Sequence, residues 1–218
     1  GGRSNGSQDG AGEVVGRGEH GVAGDRPRAG DPALEQRIAA MEGDVAELNA
    51  LVSELLGMVK LDSAQAMTAA PFDLTAALRN CIATLPRPID ASLPDLGMVV
   101  GDQRLLTRAF GNLLRNAVKY ADREIAVSAR RLLDGEIEID VEDDGPGIPE
   151  HERERIFEPF YRLDRSRDRA SGGFGLGLSI AQKAVALHGG VIKVGSSALG
   201  GARMTIVLPA KPAGRQPS

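Results

Sequence analysis

The stretch Ile137-Glu138-Ile139-Asp140-Val141-Glu142-Asp143-Asp144-Gly145-Pro146-Gly147-Ile148-Pro149 carries two signals in succession. Ile137, Ile139 and Val141 alternate with polar residues, the period of a strand with one buried face. The strand then runs into acids and two glycines, where a backbone without Cβ atoms can approach a ligand closely. A buried carboxylate at such a strand end, Asp143, can accept a hydrogen bond from an exocyclic amine such as that of adenine. A base lacking that donor would leave the acid unpaired, so discrimination would be high. Upstream, Asp134-Gly135 is a hairpin turn signal, and Ile125, Val127 and Ala129 alternate as the partner strand.

Working outward towards the N-terminus, Leu105, Leu106, Ala109, Phe110, Leu113, Ala117 and Val118 share one face of a helix over 103–121, capped by Asp102. Met98 to Val100 is a short strand before it. Asp73 caps another short helix, with Leu74, Ala77, Leu78, Cys81 and Ile82 inward. Towards the C-terminus a loop rich in Gly, Arg and aromatics runs from about 143 to 175. A helix over 176–188 stops at Gly189-Gly190. Two strands follow, Val191–Val194 and Met204–Leu208, joined by a turn containing Gly200-Gly201. Helices and antiparallel hairpins without regular βαβ alternation predict an α+β fold, a two-layer α/β sandwich with helices on one sheet face.

Further out, ten of the first 30 residues are Gly. Segment 1–31 has no apolar periodicity and cannot offset its ordering entropy by burial. Asp31-Pro32 opens a helix over 32–62, in which Leu34, Ile38, Met41, Val45, Leu48, Val52, Leu55 and Val59 recur at strict 4-3-4-3 spacing. That is a coiled-coil seam. A lone helix of this kind needs a partner, either its own domain or, as we expect, a second copy in a homodimer through 34–59. Residues 211–218 form a tail.

Composition narrows the function classes. With 26 Lys and Arg against 30 Asp and Glu, the net charge is −4, so nucleic acid is not the expected partner. No apolar run reaches the roughly 18 residues of a membrane helix, and no signal peptide is visible, which leads to a cytoplasmic expectation. The single cysteine, Cys81, excludes an internal disulfide and a Cys-cluster metal site. His20, His151 and His188 lie far apart, against a histidine-rich zinc site. Four of the seven aromatics, Phe157, Phe160, Tyr161 and Phe174, fall within 18 residues, marking a specialised segment.

Two more elements carry chemistry. Asn112, Asn116, Lys119 and Tyr120 lie three and four apart on one face of helix 103–121. Asparagine is a poor choice for a helix interior. Its amide oxygen can ligate Mg²⁺ without adding charge, and Lys119 can meet a phosphate. Gly172-Gly173-Phe174-Gly175-Leu176-Gly177-Leu178 opens a helix, whose free N–H groups and positive dipole end make an anion site. No Gly-Lys-Ser/Thr follows, so it is not a P-loop, and no βαβ unit surrounds it, so it is not a Rossmann fingerprint.

In order and spacing, these segments resemble the ATP-binding domain of bacterial two-component sensor histidine kinases, of the Bergerat nucleotide-binding fold. The resemblance covers about 71–210. Asn112-Leu113-Leu114-Arg115-Asn116-Ala117-Val118-Lys119-Tyr120 resembles the N box, Asp143 to Gly147 the first G box, Ile156-Phe157-Glu158-Pro159-Phe160-Tyr161-Arg162 the F box, and Gly173 to Leu178 the second G box. It implies a mixed, mostly antiparallel sheet, and ATP and Mg²⁺ as cofactors. Asn116 would hold Mg²⁺ and Asp143 would read the adenine amine. Gly145, Gly147 and Ile148 would belong to the nucleotide-binding set. Lys119, Tyr120 and the backbone of Gly173, Phe174, Gly175, Leu176, Gly177 and Leu178 would face the phosphates. Residues 149–172 would form a lid anchored by Phe157 and Phe160, with Arg162 reaching the γ-phosphate and Arg165, Arg167 and Arg169 on the same loop.

The resemblance implies phosphoryl transfer from ATP to a histidine, with Asn112, Asn116 and Arg162 as the catalytic set, and a response regulator as a further partner. The ATPases of this fold place a Glu where Asn112 stands. An amide cannot take a proton from water at neutral pH, which favours the kinase branch over a Bergerat ATPase. Leu48 to Asp62 resembles the end of the second helix of the kinase dimerisation hairpin. The first hairpin helix, with its phospho-accepting His followed by Glu, has no counterpart here. The acceptor hairpin is then to be sought in a partner, or the chain is a nucleotide-binding regulatory module without autokinase activity.

Overall fold

The computed structural model describes residues 34–43, 45, 52, 67–163 and 174–209. The chain divides into two units, Gly1–Gly43 and Asp44–Ser218. In the first unit, residues 34–43 form helix α1, with Ile38 and Met41 exposed and Leu34 half-buried. Val45 and Val52 are also helical and exposed. The rest of the seam, Leu48, Leu55 and Val59, lies outside the described residues, as do segment 1–31 and the tail.

In the second unit, five strands form one sheet: β2 (Asp90–Ser92), β4 (Ile125–Arg131), β5 (Ile137–Asp143), β7 (Ala202–Leu208) and β6 (Val191–Ser196), in that spatial order. β2 runs parallel to β4 and the other pairs are antiparallel. β1 (Ala70–Asp73) and β3 (Met98–Gly101) pair separately as an antiparallel ribbon. The expected α+β sandwich is therefore present, with its hairpins in the expected places. Two short strands, β1 and β2, are additions to the sequence reading.

Helices α2 (Leu74–Ala83), α3 (Gln103–Tyr120) and α4 (Gly177–Leu187) complete the unit. Two of the predicted N-caps are present, and the third, Asp31, lies outside the described residues. Asp73 accepts from the Ala76 N–H, and Asp102 accepts from the N–H groups of Arg104 and Leu105. The sheet face bearing Val127, Ile139, Val141, Met204 and Ile206 meets Leu106, Phe110 and Leu113 of α3 and Ala181 and Val185 of α4 in one apolar core. Successive strand residues point to opposite faces, and the other face is polar, carrying Glu138, Asp140, Glu142, Arg203 and Thr205. The loop after β5 packs against Tyr120 at the C-terminal end of α3, and the first residue of α4 is bonded to Asn112 in the middle of α3.

His188, just past α4, is structural. Its Nε2 accepts the Asp102 N–H at 2.9 Å, so the proton sits on Nδ1, 2.7 Å from the Ala184 carbonyl oxygen. Both ring nitrogens are committed, and the ring joins the end of α4 to the start of α3.

Candidate nucleotide site

Asp143 ends β5 and is almost fully buried. Its Oδ1 accepts the Gly145 N–H at 3.0 Å and the Ala202 N–H at 3.1 Å, while its carbonyl oxygen accepts the Gly201 N–H at 3.1 Å. Among the described residues both side-chain bonds fall on Oδ1, which leaves Oδ2 for a ligand. Burial pushes the Asp143 carboxyl above its usual range; the two N–H groups counter this and the neighbouring charge of Asp144 adds to it.

The glycines around this acid are packed against backbone. A Cβ on Gly145 would sit 2.3 Å from the Tyr120 carbonyl oxygen, and one on Gly201 would sit 2.3 Å from Asp143 Oδ1. Gly147 adopts φ 71°, a left-handed conformation, and a Cβ there would lie 3.4 Å from the Gly201 carbonyl oxygen. Ile148, half-buried, offers its carbonyl to Arg153 Nε at 3.2 Å, and Arg153 also donates to Ser196 Oγ at 3.1 Å. Around Asp143 the structure places Gly145, Gly201 and Ala202, with Gly147 packed against Gly201 in turn, while the Ile148 carbonyl is directed to Arg153. The sequence marks Gly201 only as a turn residue.

Gly145→Ala is expected to displace the loop from the end of α3, because its Cβ would collide with backbone that cannot rotate away. The cost is about 1–3 kcal/mol of stability together with loss of nucleotide affinity. Thermal melting and a nucleotide titration of the variant measure the two effects.

On α3 the two asparagines differ in their surroundings. Asn112 is buried; its Nδ2 donates to the Gly177 carbonyl at 2.7 Å, and its Oδ1 accepts from Arg115. Asn116, one turn on, is half-buried on the same face, followed by Lys119 and Tyr120, with the Lys119 ammonium 4.9 Å from the Tyr120 ring centroid. Asn112 therefore ties α3 to the first residue of α4.

That first turn of α4 contrasts with those of α2 and α3. Leu176 stands at its N-cap position and no side chain caps it; Ser179 Oγ instead donates back to the Leu176 carbonyl at 2.8 Å. Among the described residues no side chain takes the N–H groups of this turn, the arrangement that suits an anion. Leu176 is fully buried, Phe174, Gly177 and Leu178 are half-buried, and Gly173 lies outside the described residues.

The F-box segment is bonded to the second G box. The Phe160 N–H donates to the Gly175 carbonyl at 3.0 Å, and Gly175, at φ 74°, leaves no room for a Cβ beside the Tyr161 carbonyl oxygen. Ile156 and Phe157 are in the core, as an anchor requires. Phe160 corrects the expectation for its ring: it is 59% exposed at φ 66°, so it holds the segment through its backbone. Tyr161 donates to Glu152, with Arg155 stacked 4.4 Å from the ring centroid. Arg162 is half-buried, and Arg165, Arg167 and Arg169 lie outside the described residues.

Residues 101–212 match the family described as histidine kinase-, DNA gyrase B- and HSP90-like ATPases, and the chain belongs to that family. Its relatives narrow the class. Sensor protein RstB of Escherichia coli (strain K12) is 39% identical over 181 residues, covering 78% of this chain and 41% of RstB. The crystal structure of full-length ShkA in complex with AMPPNP aligns with a TM-score of 0.70 at 25% identity, covering 84% of this chain and 40% of that one. The mycobacterial sensor histidine kinase MprB aligns with a TM-score of 0.59 at 29% identity, covering 66% of this chain and 99% of that one. Within the family this is the ATP-binding catalytic domain of the sensor histidine kinase type. The chain spans about two-fifths of the length of the curated relatives it matches, RstB among them.

Proposed function

We propose that the chain binds Mg·ATP and transfers the γ-phosphoryl group to a histidine on an acceptor helix, as the kinase part of a two-component signalling pair. The observation that carries this reading is the pairing of a buried Asp143, whose side-chain bonds among the described residues both fall on Oδ1, with an α4 N-terminus that no described side chain caps. The glycines let the loop and the turn pack directly against the acid, since Cβ atoms at Gly145 and Gly201 would overlap the Tyr120 carbonyl oxygen and Asp143 Oδ1.

Asn116 would hold Mg²⁺, which keeps most of its ligands as water and phosphate oxygens. Bound there, the metal would neutralise charge between the phosphates. Lys119, Tyr120 and the first turn of α4 would orient the phosphate chain, and Arg162 would meet its far end. Asn112 acts differently, as the tether that sets the spacing between α3 and α4. It also offers no base for water, which agrees with transfer over hydrolysis. The seam 34–59 would pair with a second copy, and a response regulator would take the phosphoryl group onward. No helix among the described residues is long and apolar enough to cross a membrane. Use of ATP fits a cytoplasmic setting.

The test is binding of Mg·AMPPNP to the full chain, with and without Mg²⁺, in the parent and in Asn116→Ala. The parent should gain affinity from Mg²⁺ and melt higher with ligand. Asn116→Ala should lose the Mg²⁺-dependent part and keep the remainder. A parent that ignores the nucleotide, or a variant that responds to Mg²⁺ as the parent does, would count against the assignment.

A further inference from the structure

Asp143 is aimed by its neighbours, and one of them sits on the opposite face of the same strand. The turn between β6 and β7 is bonded within itself: the Ser197 N–H donates to the Gly201 carbonyl at 2.9 Å, the Gly200 N–H to the Ser197 carbonyl at 3.2 Å, and the Leu199 N–H to Ser197 Oγ at 2.9 Å. At its far end this turn delivers the Gly201 and Ala202 N–H groups to Asp143. At its near end it is held by Glu142. Oε2 of Glu142 accepts the Ser197 hydroxyl at 2.8 Å and the Ala198 N–H at 3.3 Å.

The adjacent acids Glu142 and Asp143, pointing to opposite faces of β5, therefore grip one turn at its two ends. Glu142 stands opposite Arg203 in the sheet register. The Arg203 guanidinium is engaged by Asp140, Nε to Oδ1 at 3.0 Å and an Nη to Oδ2 at 2.6 Å. That pairing leaves the Glu142 carboxylate to the turn.

We infer that Glu142 is a positioning residue for the purine base: by holding Ser197 and Ala198 it fixes the turn whose Ala202 N–H orients Asp143 towards a 6-amino group. This rests on the reading of Asp143 as the base acceptor. The turn has little freedom, because a Cβ on Gly201 would already overlap Asp143 Oδ1. A small displacement of the turn costs Oδ1 its Ala202 bond and leaves the Gly145 N–H as the single remaining bond that sets the rotation of the carboxylate. The acid loses its aim, while the phosphate end of the site, on α3 and α4, is untouched.

The experiment uses the full chain and compares ATP with purine riboside triphosphate, which carries hydrogen in place of the 6-amino group, by calorimetric titration with Mg²⁺. The parent should prefer ATP by at least about tenfold, the scale of one hydrogen bond to a buried charge. Glu142→Ala and the milder Ser197→Ala should lose most of that preference through weaker ATP binding, with the affinity for purine riboside triphosphate held within about twofold. Glu142→Gln, whose amide oxygen accepts from the same two donors, should retain it. Asp143→Asn should abolish it.

If Asp143→Asn removes the preference while Glu142→Ala and Ser197→Ala keep it, the role given to Glu142 is overturned. A parent without preference, or an Asp143→Asn variant that retains it, overturns the reading of Asp143, and the inference falls with it. A loss of affinity for both nucleotides alike in Glu142→Ala and Ser197→Ala would reduce Glu142 to a structural part of the fold and also overturns the inference.

Discussion

Asp143→Asn should raise the melting temperature of the nucleotide-free protein at pH 7 and, in the same molecule, weaken ATP binding by roughly 10- to 150-fold, the equivalent of losing about 1.5–3 kcal/mol from one charge-assisted bond. The stability half follows from burial. The Asp143 carboxyl titrates above its usual range because burial disfavours the ionised form, against which the Ala202 and Gly145 N–H groups work only partly. A carboxyl with a raised folded pKa contributes its stability below the unfolded pKa, about 3.9, and loses it as the pH rises through the folded pKa. At neutral pH the ionised acid is a net cost. Asparagine keeps an oxygen for the two N–H groups and removes the charge. The difference in melting temperature between variant and parent should shrink towards zero as the pH falls below the ordinary Asp range.

The binding half follows from polarity. The asparagine NH₂ would take the place of Oδ2 and face the adenine amine donor to donor. A variant that melts lower at pH 7, or that binds ATP as tightly as the parent, would contradict the placement of the acid. That combination would separate function from folding, with an acid that serves the ligand at a cost to the unliganded fold.

The fold was legible where local chemistry repeats. Asp73 and Asp102 each precede an apolar period, and each caps its helix. Asp134-Gly135 turns the β4–β5 hairpin with paired residues running from Arg131–Ile137 to Ile125–Asp143. The two strands that escaped reading lack such signals. Asp90-Ala91-Ser92 is three exposed residues without alternation, and its parallel pairing with β4 comes from a crossover no local pattern encodes. Ala70–Asp73 contains Pro71, which argues against a central strand and is compatible with an edge.

In the site, residue types were legible and roles less so. Asn112 and Asn116 look alike in sequence, and only the Gly177 carbonyl, 65 residues away, distinguishes a tether from a candidate ligand. Gly201 reads as a turn, and its contact with Asp143 is a tertiary fact. The family resemblance makes Phe160 an anchor of the lid, yet its N–H is bonded to the Gly175 carbonyl and its ring lies outside.

Incubated alone with Mg·ATP, this chain should take up no phosphoryl group on histidine. Transfer needs an imidazole nitrogen in line with the γ-phosphate at about 3–3.5 Å and a neighbouring base for the ring proton. His188 fails on the first count: it is 4% exposed, and its nitrogens serve Asp102 and Ala184. His151 comes nearer, being 79% exposed with Nε2 3.6 Å from Glu152 Oε1. Yet Glu152 is engaged by Tyr161 and Arg155, and Arg153 in the same segment is bonded to Ile148 and Ser196. Carrying His151 to a γ-phosphate would break that network beside the nucleotide's own cradle. His20, in the glycine-rich segment, is followed by Gly21 and Val22, with no acid directly after it.

A helix supplied as a second polypeptide, bearing a histidine followed by an acid and an apolar seam to match 34–59, removes both obstacles at once. Label should then appear on that helix as a phosphoramidate, acid-labile and alkali-stable, in the parent and not in Asn116→Ala. Label of that stability on the chain alone would reverse the expectation, and its position, His151 or His20, would name the acceptor. Release of free phosphate at the rate of nucleotide loss, with no label on either polypeptide, would instead show that water reaches the site despite the amide at Asn112.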